Sequence, residues 1–393
     1  MISKKHNGKL KKIIFTTSLL LIPILAIELL LRLTIVKTNH TSRFLGKYWY
    51  TLLPLELPDS TSFKYHNITH PNSYRIYDPM LGWSLAINKD NPPYYYSSPN
   101  GYRVTRKEFK NIPTIKKADF MTIGDSFTHG VAVHCEESWP YIFGQLKNKK
   151  VVNYGIPGYG IDQAILSYMY SSIKADTIIL GIIPGDFERA TNIIYGGVHR
   201  GGNKSKPMFI FKDDGTYEIK NQPCSVGINL WNEFKLGTDS DLLKIDRGYD
   251  NILFKSEFLD NFVTHRIYKM FKYRIKYIKP PIYLKNSPDD NYSYILKILK
   301  IFLEKCKTNK NFPIILLLDN KNTFADRINF AEPWYNIIND LKKMGFFVVE
   351  PLENIYSLYM EDPNSIINHD GIHYTPLANQ MVAKHLLQTL NEK

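Results

Sequence analysis

Cysteine is scarce in this chain of 393 residues, and its scarcity removes several classes of protein. Only Cys135, Cys224 and Cys306 are present, with no C-x-x-C pair and no spacing typical of metal ligands. An odd count argues against a disulfide framework, although one pair could close in an oxidising compartment. We expect the three thiols to be small buried residues. No His, Asp or Glu spacing indicates a metal site either.

The chain also lacks the features of nucleic-acid-binding and nucleotide-binding proteins. It contains no Arg/Gly-rich tract, no recognisable nucleic-acid module and no Gly-rich phosphate loop after a strand, so neither nucleic acid nor a cofactor is expected. The net charge is +13, and five lysines among the first twelve residues, which include no acid, supply part of it. The remaining charge is scattered, which favours a membrane surface or an anionic envelope polymer as the partner.

A long apolar run, Ile13–Ile35, follows these lysines. It is long enough for the roughly 20 residues that cross a bilayer. Glu28 and Arg32 interrupt it four residues apart on one helical face, where they can pair or reach the interface. A cleaved signal peptide is the alternative, but the run is longer than a signal core and no small-x-small site follows. We predict an uncleaved anchor over residues 1–36, with the N-terminus in the cytoplasm and the rest outside.

Beyond the anchor the chain divides into two parts. Residues 37–113 are irregular and rich in Pro and Tyr, and we expect them to pack on the main domain rather than fold alone. Over 114–393, strand-like runs alternate with amphipathic patterns, which indicates a parallel sheet covered by helices on both faces. One of these helical patterns begins near Asp162, the expected cap. The strand-like runs are Ala118–Ile123, Lys150–Tyr154, Thr177–Ile183, Pro313–Leu318 and Phe346–Glu350.

A segment at about 195–290 interrupts this alternation. A connection of that length in a compact domain has a function or a structure of its own. It emerges on the side where the parallel strands end, so we predict a lid or an acceptor-binding insertion. A surface embellishment is the alternative.

The residues that can carry chemistry stand near the two ends of the main domain. Ser126 lies in Thr122–Gly130, at the turn after the first strand-like run, where a hydrolase presents its nucleophile. The G-x-S-x-G elbow is not matched, because Thr128 replaces the second glycine. Asp370-Gly-Ile-His373 stands near the C-terminus, directly before a capped helix.

Three blocks of sequence together resemble the SGNH (GDSL-like) hydrolases. Gly124–Gly130, Asn153–Gly160 and Asp370–His373 are similar to blocks I, II and V of that family and occur in its order. The resemblance covers about residues 110–390 apart from the insertion, and Asp78–Trp83 is similar to segments of membrane-anchored members. It implies a three-layer α/β/α, flavodoxin-like fold with about five parallel strands.

The resemblance also implies a role for each matching residue. Ser126 would attack an ester carbonyl, His373 would take the serine proton and later return it, and Asp370 would fix the imidazole tautomer. The oxyanion would be bound by the backbone N–H groups of Ser126 and Gly158.

The third oxyanion donor of the family, an asparagine of block III, has no counterpart, because Gly185 stands in its place. Losing one such donor costs roughly 10²–10³ in rate. Candidates to replace it are the Gly185 N–H, Arg189, Asn192 and a group from the insertion. Arg189, Asn192 and His129 are also candidate substrate contacts, although His129 at a helix start is more typically a histidine with a local hydrogen bond.

The leading hypothesis is therefore a membrane-anchored, extracytoplasmic serine esterase that removes an O-acetyl or another small acyl group from a glycan. Location and composition, rather than a particular residue, suggest the glycan. One alternative is an acyltransferase that uses the same triad on an envelope polysaccharide. The other is a catalytically silent binding domain, which the block III departure favours.

Overall fold

A computed structural model describes residues 2–38, 41–47, 50–55, 73–195, 204–220, 232–233, 235–246, 249–253, 255–277, 291–330 and 334–392. The irregular segment at 37–113 and the insertion at about 195–290 are thus described in part. Cys224 lies outside the described residues, whereas Cys135 and Cys306 are buried free thiols, as expected for small core residues.

The strands, in chain order, are β1 Ile35–Thr38, β2 Thr41–Phe44, β3 Arg75–Asp78, β4 Gly82–Leu85, β5 Asp90–Asn91, β6 Tyr95–Ser97, β7 Arg103–Val104, β8 Lys117–Gly124, β9 Val151–Gly155, β10 Lys174–Ile182, β11 Met208–Phe211, β12 Tyr217–Lys220, β13 Phe312–Leu317 and β14 Phe347–Val349. The α-helices are α1 Ile2–Leu33, α2 Arg106–Phe109, α3 Ser126–His129, α4 Trp139–Lys147, α5 Ile161–Tyr170, α6 Pro184–Ala190, α7 Asp241–Lys244, α8 Val263–Tyr277, α9 Asn291–Asn309, α10 Lys321–Phe330, α11 Tyr335–Met344, α12 Glu353–Glu361, α13 Pro363–Ile366 and α14 Pro376–Asn391.

Five parallel strands form the centre of the main sheet. They lie in the order β9-β8-β10-β13-β14, so chain order becomes 2-1-3-4-5 across the sheet, the order of flavodoxin-like folds. Each coincides with a strand-like run of the sequence, which confirms the predicted mixed α/β fold with a mostly parallel sheet. Helices cover both faces, because Ile315 and Leu317 of β13 enter one hydrophobic core while Ile314 and Leu316 enter the other.

The expectation of about five strands is wrong for the sheet as a whole, which has eight. Three short strands, β7, β6 and β5, continue it beyond β9 in antiparallel fashion, starting from the pair Arg103 and Asn153. All three come from the segment that looked irregular. Strands of two or three residues are too short to show an alternating pattern, so hydrophobic periodicity did not reveal them.

The described part of the insertion packs on the main domain. Its hairpin, β11–β12, buries Phe209 completely, and the Tyr294 hydroxyl of α9 donates to the Phe209 carbonyl at 2.9 Å. Lys206, just before the hairpin, forms an ion pair with Asp162 of α5, and both side chains are fully buried. The prediction that Asp162 caps this helix is wrong, because α5 begins at Ile161 and Asp162 instead balances the lysine charge.

Within the part of the chain that the structure describes, one helix is long and apolar enough to cross a membrane. The segment Phe15–Leu33 of α1 has a mean hydropathy of 1.9 and is almost entirely unburied by the rest of the protein. The predicted pairing within it is confirmed, since Arg32 Nε donates to Glu28 Oε1 at 3.0 Å.

Candidate functional site

Ser126 is the first residue of α3, immediately after β8. Asp125 caps the helix, because its Oδ1 accepts the Phe127 N–H at 2.8 Å. Gly124 has φ +153°, and a Cβ there would lie 2.6 Å from the Gly181 carbonyl oxygen of the neighbouring strand. The turn that presents Ser126 therefore requires a glycine two residues before it.

Thr128 stands where the G-x-S-x-G elbow has its second glycine, and its side chain packs against the strands on either side of the turn. Its hydroxyl lies in the space beside two glycines: a Cβ on Gly124 would be 2.3 Å from Thr128 Oγ1, and a Cβ on Gly181 would be 2.4 Å from it. The threonine side chain is fully buried between the strand ends. A different packing therefore supports this turn, with the side chain at position 128 filling space that the two strand glycines leave.

Asp370 and His373 are in direct contact on the turn before α14. The His373 Nδ1 lies 2.6 Å from Asp370 Oδ2, and Asp370 Oδ1 accepts the N–H groups of Ile372 (2.9 Å) and His373 (3.0 Å). Burial alone would raise the pKa of Asp370, but these hydrogen bonds together lower it below its usual value. An ionised Asp370 assigns the proton to Nδ1, which leaves the lone pair of Nε2 available as a base.

The structure brings this pair next to the Ser126 turn. The Phe127 ring lies 5.4 Å from the His373 ring and 4.8 Å from the Tyr374 ring, centroid to centroid. Among the contacts of the described residues, no hydrogen bond joins Ser126 to His373. The Ser126 hydroxyl instead donates to Asp125 Oδ2 at 3.2 Å, so it has to reorient before it can pass a proton to the imidazole.

Arg189 of α6 is held by two carboxylates beside Ser126. Its Nη1 donates to Asp125 Oδ2 (3.0 Å), Asp186 Oδ1 (2.5 Å) and the Tyr159 carbonyl (3.0 Å). Burial, followed by the nearby Asp125 charge, raises the pKa of Asp186 well above its usual value. Burial would lower the pKa of Arg189, but the two carboxylates raise it, so the guanidinium stays charged. The same carboxylate that accepts from Ser126 is therefore fixed by a permanent cation.

Gly185 lies in the first turn of α6. The N–H groups of a helix's first turn have no partner within the helix. A Cβ at Gly185 would lie 3.5 Å from Arg189 Nη2, so the guanidinium borders the place where a side chain at 185 would begin. Asn192 is further along and turns away, because its Nδ2 donates to the Glu188 carbonyl at 2.9 Å.

Gly158 lies in the tight turn after β9. The Tyr159 N–H donates to the Ile156 carbonyl at 3.2 Å, and the Pro157-Gly158 pair, with φ +88° at the glycine, has the sequence and geometry of a type II turn. A Cβ at Gly158 would lie 2.9 Å from the Tyr195 ring, so this ring covers the turn.

An aromatic and basic cluster extends from Gly158, and sequence reasoning missed it. The Tyr195 ring packs edge-on against Trp83, with centroids 5.3 Å apart. The Lys204 ammonium lies 5.6 Å from the centre of the Tyr195 ring and 5.7 Å from that of Trp83. Burial, helped by the charge of Arg75, lowers the pKa of Lys204 to about 8. The only sequence signal was the density of aromatic residues in these segments.

His129 is buried behind the Ser126 turn, away from solvent. Its Nδ1 donates to the Gly155 carbonyl at 2.8 Å, and burial, with the charge of Arg103, lowers its pKa well below the usual value. It therefore stays neutral, and its hydrogen bond is not local, because Gly155 lies on β9, 26 residues along the chain.

Arg103 is a second residue that sequence reasoning missed. It is buried in β7, and its guanidinium donates to the carbonyl groups of His129, Gly130 and Val133. It thereby fixes the loop that follows Ser126. These partners lie 26, 27 and 30 residues along the chain, so the sequence did not indicate them.

The chain is similar to three solved structures at low sequence identity. A protein assigned to the lipolytic G-D-S-L family from Desulfitobacterium hafniense DCB-2 is 13% identical over 70% of this chain and 99% of its own, with a TM-score of 0.36. A member of the same family from Veillonella parvula DSM 2008 is 12% identical over 71% of this chain and 100% of its own, with a TM-score of 0.35. A carbohydrate esterase, described as having divergent catalytic and non-catalytic binding functions, is 12% identical over 76% of this chain and 70% of its own, with a TM-score of 0.32. No protein-family model matches the chain, and no curated protein does. Its chemistry therefore has to be argued from its own residues.

Proposed function

We propose that this protein is an SGNH-type serine esterase with Ser126 as nucleophile, His373 as general base and Asp370 as the residue that orients it. The observation that carries the proposal is the contact between Asp370 and His373, 2.6 Å long, beside the Ser126 turn. An imidazole with its proton fixed on Nδ1 can accept the serine proton on Nε2, and an alkoxide can then attack an ester carbonyl.

The oxyanion formed by this attack would be bound by the N–H groups of Ser126 and Gly158. We assign the third position, which the asparagine fills in the family, to Arg189, whose Nη2 borders Gly185. The Gly185 N–H is the alternative donor. A charged guanidinium stabilises developing negative charge more strongly than a neutral amide does, so the block III departure is compatible with turnover.

We further propose that α1 anchors the protein in a membrane, with the N-terminus in the cytoplasm and the catalytic domain outside. The lysines before Phe15–Leu33 support this orientation. The substrate would be an acyl ester, such as an O-acetyl group, on a glycan of the envelope. The partly exposed Tyr195 ring and Lys204 ammonium beside Gly158 support a substrate whose remaining part offers a flat or anionic group. Trp83 is buried and only packs against Tyr195.

The experiment is hydrolysis of p-nitrophenyl acetate by the full-length protein in detergent, compared with Ser126→Ala and His373→Gln. We expect turnover by the wild type, loss of nearly all turnover in both variants, and labelling of the wild type alone by a fluorophosphonate probe. Turnover retained in Ser126→Ala would refute the nucleophile. A folded wild type that neither turns over nor takes the label would point to the silent binding domain.

The second candidate is an acyltransferase, which the proposed position of the catalytic domain beside a membrane favours. Product analysis distinguishes it from the esterase. The acylated donor is incubated with and without a deacetylated polysaccharide, and free acetate and acetylated polymer are both measured. An esterase releases acetate at the same rate in both reactions. An acyltransferase shifts the acyl group to the polymer at the expense of free acetate.

A further inference from the structure

The insertion carries an exposed apolar surface next to the end of α1. We call the residues 257–277 the amphipathic segment; they comprise a 3₁₀ turn, Phe258–Asn261, and helix α8. Phe258 is 80% exposed and Ile275 is 72% exposed. The other large apolar side chains exposed here are Leu259, Phe262, Tyr268 and Phe271. Apolar groups of this size, gathered on one short segment, indicate a surface that meets something other than water.

The opposite side of the amphipathic segment packs on the protein, so the exposed apolar side chains face away from it. Met270 and Tyr273 are buried against the protein. Lys269 Nζ donates to Asp260 Oδ2 at 2.7 Å, which ties the helix to the turn before it. Because Tyr268, Phe271 and Ile275 follow the helical spacing i, i+3, i+7, they form one stripe that faces outward.

The amphipathic segment is joined directly to α1. Glu28 accepts the N–H groups of Val263 (2.7 Å) and Thr264 (3.0 Å), the first two residues of α8, and also the Thr264 hydroxyl (3.0 Å). Arg32 Nη2 donates to the Asn261 carbonyl at 2.7 Å. The N–H groups of Val263 and Thr264, at the start of α8, have no partner within that helix. The two charged residues that interrupt the apolar run of α1 are thus explained: they hold the start of α8.

This junction sets the depth of α8 relative to α1. Glu28 precedes Leu33, the last residue of α1, by five residues, which is about 7.5 Å along the axis at 1.5 Å per residue. Amphipathic helices at membrane surfaces bury their apolar face by about 5–10 Å. A helix fixed at this level of a spanning helix lies in the interfacial layer of the bilayer.

The neighbouring hairpin and the charge of α8 agree with a lipid surface. Hairpin β1–β2 follows α1 at once, and Val36 and Leu45 are exposed apolar residues there. The Tyr50 ring lies 6.3 Å from that of Phe44 in β2 and 6.3 Å from that of Phe271, so it connects the hairpin to α8. Helix α8 contains five Lys and Arg residues and no Asp or Glu, a composition typical of helices that bind anionic lipid headgroups.

We propose that the amphipathic segment lies in the outer interface of the membrane that α1 spans, with Phe258, Phe271 and Ile275 among the acyl chains and the exposed Lys272 at the headgroups. The bilayer is thus a second attachment of the catalytic domain, which fixes the domain's orientation instead of leaving it on a single tether. This inference rests on the proposed anchor, but not on the proposed chemistry.

The test places a fluorescent label at single cysteines in the full-length protein, in nanodiscs of phosphatidylcholine and phosphatidylglycerol. The variants are Ile275→Cys in the amphipathic segment, Leu25→Cys within α1, and Ile328→Cys, an exposed residue of α10, as the matched control. Cys224→Ser is the common background, and the same protein without an added cysteine reports residual labelling of Cys135 and Cys306. Nitroxide lipids, labelled either near the headgroup or deep in the acyl chain, act as quenchers.

We expect the shallow nitroxide to quench the label at 275 several-fold and the deep nitroxide to quench the label at 25, with the label at 328 unchanged by both. Glu28→Gln should reduce quenching at 275 while quenching at 25 persists. Quenching at 25 without quenching at 275 would overturn the inference but leave the anchor intact. A blue-shifted but unquenched label at 275 would mean that another protein surface covers it, and would overturn it too. No quenching at 25 would refute the anchor itself.

Discussion

Replacing Asp370 by asparagine tests the proposed triad at its best-defined contact. Asparagine keeps the shape of the side chain but is neutral, and its amide NH₂ can be turned toward His373 Nδ1. The tautomer with its proton on Nε2 is then stabilised, and that tautomer has no lone pair to accept the Ser126 proton. The two backbone bonds to Asp370 Oδ1 can be retained by the amide oxygen, so the turn should persist.

The size of the effect follows from the exposure of the pair. Where the aspartate of such a triad is buried, this substitution lowers kcat by about 10⁴. The Asp370 side chain is 28% exposed, and water there screens part of its charge. We therefore expect kcat to fall by about 10²–10³, which corresponds to about 3–4 kcal/mol of transition-state stabilisation, with little change in KM.

The measurement is kcat and KM for p-nitrophenyl acetate, with Asp362→Asn as the matched control. Asp362 caps the nearby helix α13 by accepting the Asn364 N–H at 3.1 Å and does not contact His373. The control should retain wild-type kcat. The reasoning is refuted if Asp370→Asn also retains it, or if both variants lose activity equally.

The same contact has a consequence for stability. Because the folded pKa of Asp370 lies below its ordinary value of 3.8, its contribution to stability is present above that value and is lost as pH falls through the folded pKa. Asp370→Asn should therefore be less stable than the wild type at neutral pH, and the difference should shrink in strong acid. Thermal unfolding followed over this pH range measures it.

Three further predictions concern residues around the site. Lys206→Met leaves Asp162 buried without its cation, so the free energy of unfolding, measured by denaturant titration, should fall by about 3–5 kcal/mol. The double variant Lys206→Met, Asp162→Leu should recover much of this loss. An equal loss in the double variant would contradict the role of the ion pair. Gly158→Ala places a Cβ at a residue with φ +88° and 2.9 Å from the Tyr195 ring. The turn must then shift the 158 N–H, so kcat should fall by about 10². An unchanged kcat would show that this N–H does not bind the oxyanion. Asp186 has a folded pKa above its ordinary value of 3.8, so its contribution to stability is present below that value and is lost as pH rises through the folded pKa. Asp186→Asn should therefore gain thermal stability relative to the wild type as pH rises above 3.8, and a constant difference would contradict this.

The central sheet could be predicted because its signal is local. Each of the five parallel strands is buried on both faces, so each appears in the sequence as a continuous apolar run. The alternation with helices predicted a parallel sheet, whereas its flavodoxin-like order was implied only by the resemblance to the SGNH hydrolases. The antiparallel strands β5–β7 did not show as an alternating pattern, because each has only two or three residues, and β7 alone pairs with β9, through Arg103 and Asn153.

The sequence by itself determined which groups could react: a serine after a strand, a histidine three residues after an aspartate, and a glycine in a Pro-Gly turn. These are properties of short segments, in which the local backbone geometry is set by neighbouring residues. Only the tertiary structure decided what each group contacts, because the partners are distant in sequence. Arg189 reaches Asp125 across 64 positions, Lys206 reaches Asp162 across 44, and Glu28 holds Val263 across 235. Ion pairs and helix caps between such residues form only when folding has brought their elements together, so no periodicity in the chain predicts them.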